Sequence, residues 1–136
     1  EIQPYVDLAN AEAKWNFDWD WSEPIQFTKY KLNEYYDWHC DSFAIPNDDK
    51  SNKNTFGKIR KLSVTCQLDD NTKYEGGELE FQPRNEENPT KVLQCKEILP
   101  RGSVVVFPSY VWHRVKPVKK GTRYSLVLWN LGYPFK

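Results

Sequence analysis

The chain has 136 residues, with 19 Lys+Arg balanced against 19 Asp+Glu and only two His. Zero net charge supplies no electrostatic drive toward nucleic acid or a membrane surface, and no apolar run approaches the ~18 residues of a spanning helix. A chain of this length makes one domain that buries a core without staples.

No signal-peptide pattern opens the sequence, so it reads as a soluble, cytoplasmic protein. The first residue is Glu1 rather than Met, consistent with a trimmed chain. Cys40, Cys66 and Cys95 are odd in number and lack CxxC spacing, so reduced, buried thiols are expected rather than a zinc site or a disulfide framework. Six Trp, eight Tyr and seven Phe suit a β-rich fold with bulky inward positions.

In chain order, Val6, Leu8, Ala9, Ala13 and Trp15 recur at helical spacing and predict a short helix over 5–16. The alternating Phe17, Trp19 and Trp21 suit a strand or a surface hairpin, and Pro24 opens a strand from Ile25 to Leu32. A further strand carries His39 and Asp41. Residues 46–57, PNDDKSNKNTFG, form the clearest flexible loop, and their position just after His39 and Asp41 makes them a candidate lid. Arg60 to Leu68 alternates as a half-buried strand, with Leu62, Val64, Cys66 and Leu68 on one face and Ser63, Thr65 and Gln67 on the other. Gly76-Gly77 leads into a strand over Glu78–Phe81, and a polar loop spans 83–91. Val92–Leu99 and Ser103–Phe107, around the turn Pro100-Arg101-Gly102, read as a hairpin. Val111–Val118 and Thr122–Leu131, joined by Lys119-Lys120-Gly121, read as another. Many short strands with turn signals every ~8–12 residues indicate a sandwich or barrel, with no repeat and no domain boundary.

Both histidines fall in one constellation. His39 and Asp41 are two residues apart and share a face on an extended strand. With His113 they make a two-His-one-carboxylate set, which holds three positions of a six-coordinate metal and leaves three open, as in non-haem Fe(II) oxygenases. On the strand after His113, Arg123, Ser125, Val127 and Trp129 share one face. A guanidinium fork beside a hydroxyl makes a carboxylate clamp.

The segments YDWHCD (Tyr36 to Asp41), YEGGELEF (Tyr74 to Phe81) and GSVVVFPSYVWHRVKPVKKGTRYSLVLW (Gly102 to Trp129) resemble the Fe(II)/2-oxoglutarate oxygenase superfamily. Within it they look like the prolyl 4-hydroxylase branch, including the PKHD-type hydroxylases of bacteria and phages. The resemblance implies a mainly β double-stranded β-helix, a jelly-roll or cupin-like barrel, with a short N-terminal helix. It implies Fe(II) on His39, Asp41 and His113, with Arg123 gripping the far carboxylate of 2-oxoglutarate and Ser125 and Tyr30 as its hydroxyl partners. Tyr36, Arg60 and Trp129 match positions that face the substrate, and Gly76-Gly77 matches a glycine pair where backbone passes closely or takes positive φ. Fewer residues precede the first barrel strand than the supporting helices of the family occupy.

The implied activity is hydroxylation of a C–H bond, with O2 consumed, succinate and CO2 released, and ascorbate as reductant. A prolyl residue of a peptide or protein is the first expectation for the substrate, with no nucleic-acid or membrane partner. A non-prolyl residue or small molecule, a non-catalytic jelly-roll binding module and a metal-dependent cupin that uses no 2-oxoglutarate remain alternatives. The Arg123-x-Ser125 pair speaks against the last of these, since it suits a dicarboxylate.

Overall fold

The computed structural model describes residues 2–42 and 45–136. One helix, α1 (Gln3–Glu12), precedes eleven strands: β1 (Trp21–Ser22), β2 (Gln26–Tyr30), β3 (Tyr36–His39), β4 (Ile59–Gln67), β5 (Tyr74–Gly76), β6 (Leu79–Gln82), β7 (Leu93–Gln94), β8 (Val104–Pro108), β9 (Trp112–Val115), β10 (Val118–Gly121) and β11 (Arg123–Gly132). They pair antiparallel into two main sheets. One runs β1-β11-β4-β8 with β2 also on β11; the other runs β3-β9-β6-β7; β10 and β5 form a small ribbon. The architecture is a double-stranded β-helix.

Helix α1 starts earlier than its apolar spacing predicts, with Pro4 in its first turn, and it ends before Trp15. Lys14 and Asn16 both take positive φ, which breaks the helix. The Asn10 amide then fixes the exit, donating to the Phe17 carbonyl at 3.0 Å and accepting from the Phe17 N–H at 2.9 Å. Residues 17–20 are therefore not a strand. They lie over the core, where Trp15, Phe17 and Trp19 pack against Val6, Leu62, Val64 and Leu128.

Strand β4 corrects the expectation of a half-buried element. Leu62 and Val64 pack toward α1, while Ser63, Thr65 and Gln67, on the opposite face, are just as deeply buried. The polar face is covered by the second sheet rather than by water. A second cluster, Leu79, Cys95, Ile98 and Val115 with Tyr30, Phe81 and Val105, joins the two sheets.

Neither expected hairpin forms. Only β7 remains of the 92–99 strand; it pairs with β6, a 3₁₀ turn follows over Lys96–Ile98, and β8 crosses to the other sheet beside β4. Likewise β9 pairs with β3 and β6, β10 with β5, and β11 with β1, β2 and β4. Pro100-Arg101-Gly102 does turn the chain, but β8 then joins the facing sheet, and Lys119-Lys120-Gly121, expected as a turn, is part of β10 and pairs with β5. Glycines 76 and 77 meet the expectation for that pair. Both take positive φ, and a Cβ on Gly76 would lie 2.4 Å from the Pro117 carbonyl oxygen. The 46–57 loop, expected to be flexible, is folded back on itself: Asn47 N–H donates to the Lys58 carbonyl and Gly57 N–H to that of Asn47.

Candidate active site

His39 ends β3 and stands directly opposite His113 in the β3–β9 register, which sets the two imidazoles side by side with ring centroids 4.2 Å apart. Asp41 is not on the strand of His39. It lies beyond the end of β3 in a bend, where its N–H and that of Ser42 both donate to the Ser109 carbonyl, at 2.8 and 3.0 Å. The bend, and not strand alternation, turns the carboxylate inward. Its Oδ1 lies 3.4 Å from His39 Nε2 and 3.6 Å from His113 Nε2, and one ligand atom from each residue falls within 4.8 Å of the others.

The ring orientations are fixed from behind. His39 Nδ1 lies 2.7 Å from the Asp37 carbonyl oxygen and His113 Nδ1 lies 2.9 Å from that of Val111. A carbonyl only accepts, so each Nδ1 carries a proton, and each Nε2 is turned toward Asp41. Two imidazole nitrogens and a carboxylate oxygen thus converge on one point, a donor set that suits a divalent first-row metal. Protonation is biased the same way. Burial pulls His113 below the ordinary imidazole value, against the opposing charge of Asp41 and the Val111 bond. Burial alone would raise the Asp41 carboxyl, but the His39 bond, the His113 charge, Ser63 and the Trp129 indole together bring it down to about 2. The Trp129 Nε1 is buried and makes no hydrogen bond of full geometry, so its help is electrostatic. Phe107 packs edge-on against His113 at 4.8 Å, and Phe81 against Phe107 at 5.0 Å.

The three ligand side chains line a cavity of about 200 Å³ whose other wall is the inner face of β11. Arg123, Ser125, Val127 and Trp129 all line it, as alternation requires, and register sets Tyr30 beside Arg123 and Thr28 beside Ser125. Arg123 is 2% exposed, its guanidinium 5.7 Å from the Tyr30 ring. No ion pair or hydrogen bond to that guanidinium forms among the described residues. A buried cation without a partner is costly, and an anionic ligand in the cavity removes the cost. Burial raises the Tyr30 hydroxyl above its usual range, against the nearby Arg123 charge, so Tyr30 is a neutral donor.

Tyr36 is half exposed over His39, with ring centroids 3.7 Å apart. Arg60 also lines the cavity, stacked 3.8 Å over the Trp129 ring and held by a bidentate pair to Glu23 at 2.7 and 3.1 Å. No residue of 46–57 is among those lining the cavity, so the candidate lid does not cover it here. Gln26, Thr28, Thr65 and Phe107 line it without having been singled out, and Ser63 and Ser109 stand behind Asp41. The polar alternation of β4 is the signal in the sequence for Thr65 and Ser63, and that polar face is buried rather than half-exposed.

Among proteins of known sequence, a PKHD-type hydroxylase of Synechococcus sp. (strain CC9605) is 39% identical over 106 residues, covering 78% of this chain and 40% of the relative. The chain thus spans about two fifths of the length of that hydroxylase. Among solved structures, a Pseudomonas putida prolyl-4-hydroxylase superposes with a TM-score of 0.66 at 23% identity, over 94% of this chain and 62% of that one. A prolyl hydroxylase from Trichoplax adhaerens, in complex with a hypoxia inducible factor oxygen degradation domain peptide fragment, gives 0.64 at 23% identity, over 95% and 52%. These two likenesses carry the fold. The sequence model of the 2OG-Fe(II) oxygenase superfamily matches residues 25–130, a span that holds His39, Asp41, His113 and Arg123, and the chain belongs to that superfamily.

Proposed function

We infer that the chain is the catalytic domain of an Fe(II)- and 2-oxoglutarate-dependent hydroxylase acting on a prolyl residue of a peptide or protein. The observation that carries this reading is one cavity with three converging metal-ligand atoms at one end and an unpaired, buried guanidinium on its opposite wall. His39, Asp41 and His113 hold the metal through Nε2, Oδ1 and Nε2. Arg123, with the Ser125 and Tyr30 hydroxyls, grips the far carboxylate of 2-oxoglutarate and orients the diacid along the cavity. Tyr36, Arg60 and Trp129 face the substrate. Because Glu23 neutralises Arg60, this rim offers N–H donors to a neutral backbone carbonyl more than a free charge to an acid.

When bound, the iron and 2-oxoglutarate supply the oxidative chemistry, with O2 consumed and succinate and CO2 released. The residues of the chain position them and shelter the site, with Phe81, Phe107 and Trp129 excluding water around the metal-ligand end. The relatives named as hydroxylases and prolyl hydroxylases support the reaction class, and the Trichoplax complex supports a peptide as substrate.

Two measurements test the reading. Anaerobic addition of Fe(II) and 2-oxoglutarate is expected to give the visible absorption band of their joint complex. A panel of proline-containing peptides, with Fe(II), 2-oxoglutarate and O2, is expected to yield a product heavier by one oxygen atom, and omitting ascorbate tests its place as reductant. An absorption band without a peptide product in any sequence context would retain the cofactor chemistry and discard the prolyl substrate.

A further inference from the structure

Ser63 projects from the inner face of β4 and is 1% exposed. Its Oγ donates to Asp41 Oδ2 at 2.6 Å and lies 2.9 Å from Ser109 Oγ, itself fully buried. An ionised carboxylate has no proton to give, so the Ser63 hydroxyl must be the donor to Asp41. That leaves the Ser63 oxygen as acceptor and Ser109 as donor to it. The chain of protons runs one way, from Ser109 through Ser63 to Asp41. Ser109 also fixes the Asp41 backbone through its carbonyl, so one residue anchors this ligand twice.

The two oxygens of Asp41 are thereby made unequal. Oδ2 is tied to the serines, and Oδ1 faces His39 and His113. A carboxylate can bind a divalent metal through one oxygen or two, and a second oxygen would occupy one of the three open positions that a facial triad leaves. Rotating the carboxylate to bring Oδ2 onto a metal would stretch the 2.6 Å bond that Ser63 donates to it. We propose that Ser63, backed by Ser109, is a positioning residue that keeps Asp41 a one-oxygen ligand and so keeps a coordination position free for co-substrate. This rests on the reading of His39, Asp41 and His113 as a metal site.

The test uses Co(II) as the probe, followed by visible absorption, with 2-oxoglutarate then titrated into the Co(II)-loaded protein. Ser63→Ala is expected to weaken Co(II) about 10- to 100-fold, the usual range for losing an outer hydrogen bond to a ligand. It is also expected to weaken 2-oxoglutarate binding at saturating Co(II), which a merely structural serine would leave unchanged. Ser63→Thr keeps the hydroxyl and restores both, and Ser109→Ala gives a smaller loss in the same direction. Wild-type affinities in Ser63→Ala would overturn the proposal, as would a Ser63→Thr protein that behaves like Ser63→Ala. If Ser63→Ala does not fold, Ser109→Ala and Ser63→Thr decide between the same outcomes. A wild-type protein that fails to bind Co(II) would remove the metal site itself, and the proposal with it.

Discussion

His39 and His113 are register partners on neighbouring strands, with ring centroids 4.2 Å apart and the Asp41 carboxylate beside both Nε2 atoms. The metal-free protein is therefore expected to lose stability in acid in two steps. Burial lowers the folded pKa of His113 below 6.5, so its contribution is full above that value and falls as pH drops below it, where the unfolded ring binds a proton that the folded ring resists. Asp41 is depressed from 3.8 to about 2; its contribution, about 2 kcal/mol, is present above 3.8 and lost as pH falls through about 2. Denaturant midpoints across the acid range measure both steps, and the upper one should be absent in His113→Gln.

Alanine at His39, Asp41 or His113 removes one of three converging donors. Each variant is expected to lose 2-oxoglutarate turnover and to bind Fe(II) too weakly to saturate. Asp41→Ala should gain no stability from pH at the lower step. Equilibrium dialysis of metal and a succinate assay check the expectation, and full turnover in any one variant would remove that residue from the set.

Removing the Arg123 guanidinium should raise the KM for 2-oxoglutarate, with metal affinity unchanged. A charge-assisted bidentate pair in a sheltered site carries about 2–5 kcal/mol when one partner is truncated, so a rise on the order of 100-fold or more is expected for Arg123→Ala. Arg123→Lys keeps the charge but not the fork and should fall between. A third substitution tests the unpaired cation: the ligand-free Arg123→Met protein is expected to be at least as stable as the parent in thermal melts, because a buried charge without an anionic partner disappears.

Gly77 connects the backbone to that clamp. It takes φ +63°, and a Cβ there would lie 3.1 Å from Arg123 Cδ and 3.1 Å from Val118 Cγ2. Gly77→Ala is expected to cost about 1–3 kcal/mol from backbone strain. It should also raise the 2-oxoglutarate KM beyond what lost stability explains, because the Arg123 stem has to yield. KM measured well below the melting temperature separates the two effects.

Local spacing marked the candidate site. His39 with Asp41, then His113, then Arg123 with Ser125 could be read from residue type and order, because a ligand set and a carboxylate clamp each demand particular functional groups at short separations. Alternation also placed Arg123, Ser125 and Trp129 on one face of β11, and that is where they lie. Which strand each turn delivers, and to which sheet, was not legible. Pro100-Arg101-Gly102 and Lys119-Lys120-Gly121 look like hairpin turns, yet β8 lies in the sheet facing β7, and Lys119-Lys120-Gly121 is itself strand in the β10–β5 ribbon. Pairing is decided by residues far apart in the chain, and a turn signal does not contain it.

The covering of each face was hidden for the same reason. An alternating strand states that its two sides differ, not that one is wet. Ser63, Thr65 and Gln67 looked like a solvent edge until a second sheet was laid over them, and only then did a serine pair behind Asp41 come into view. Residue types and their order name the atoms that could bind a metal and a dicarboxylate. Tertiary structure alone decided that they share one cavity, that Asp41 reaches it from a bend rather than a strand, and that one of its oxygens is already held, since convergence in space depends on long-range register and burial.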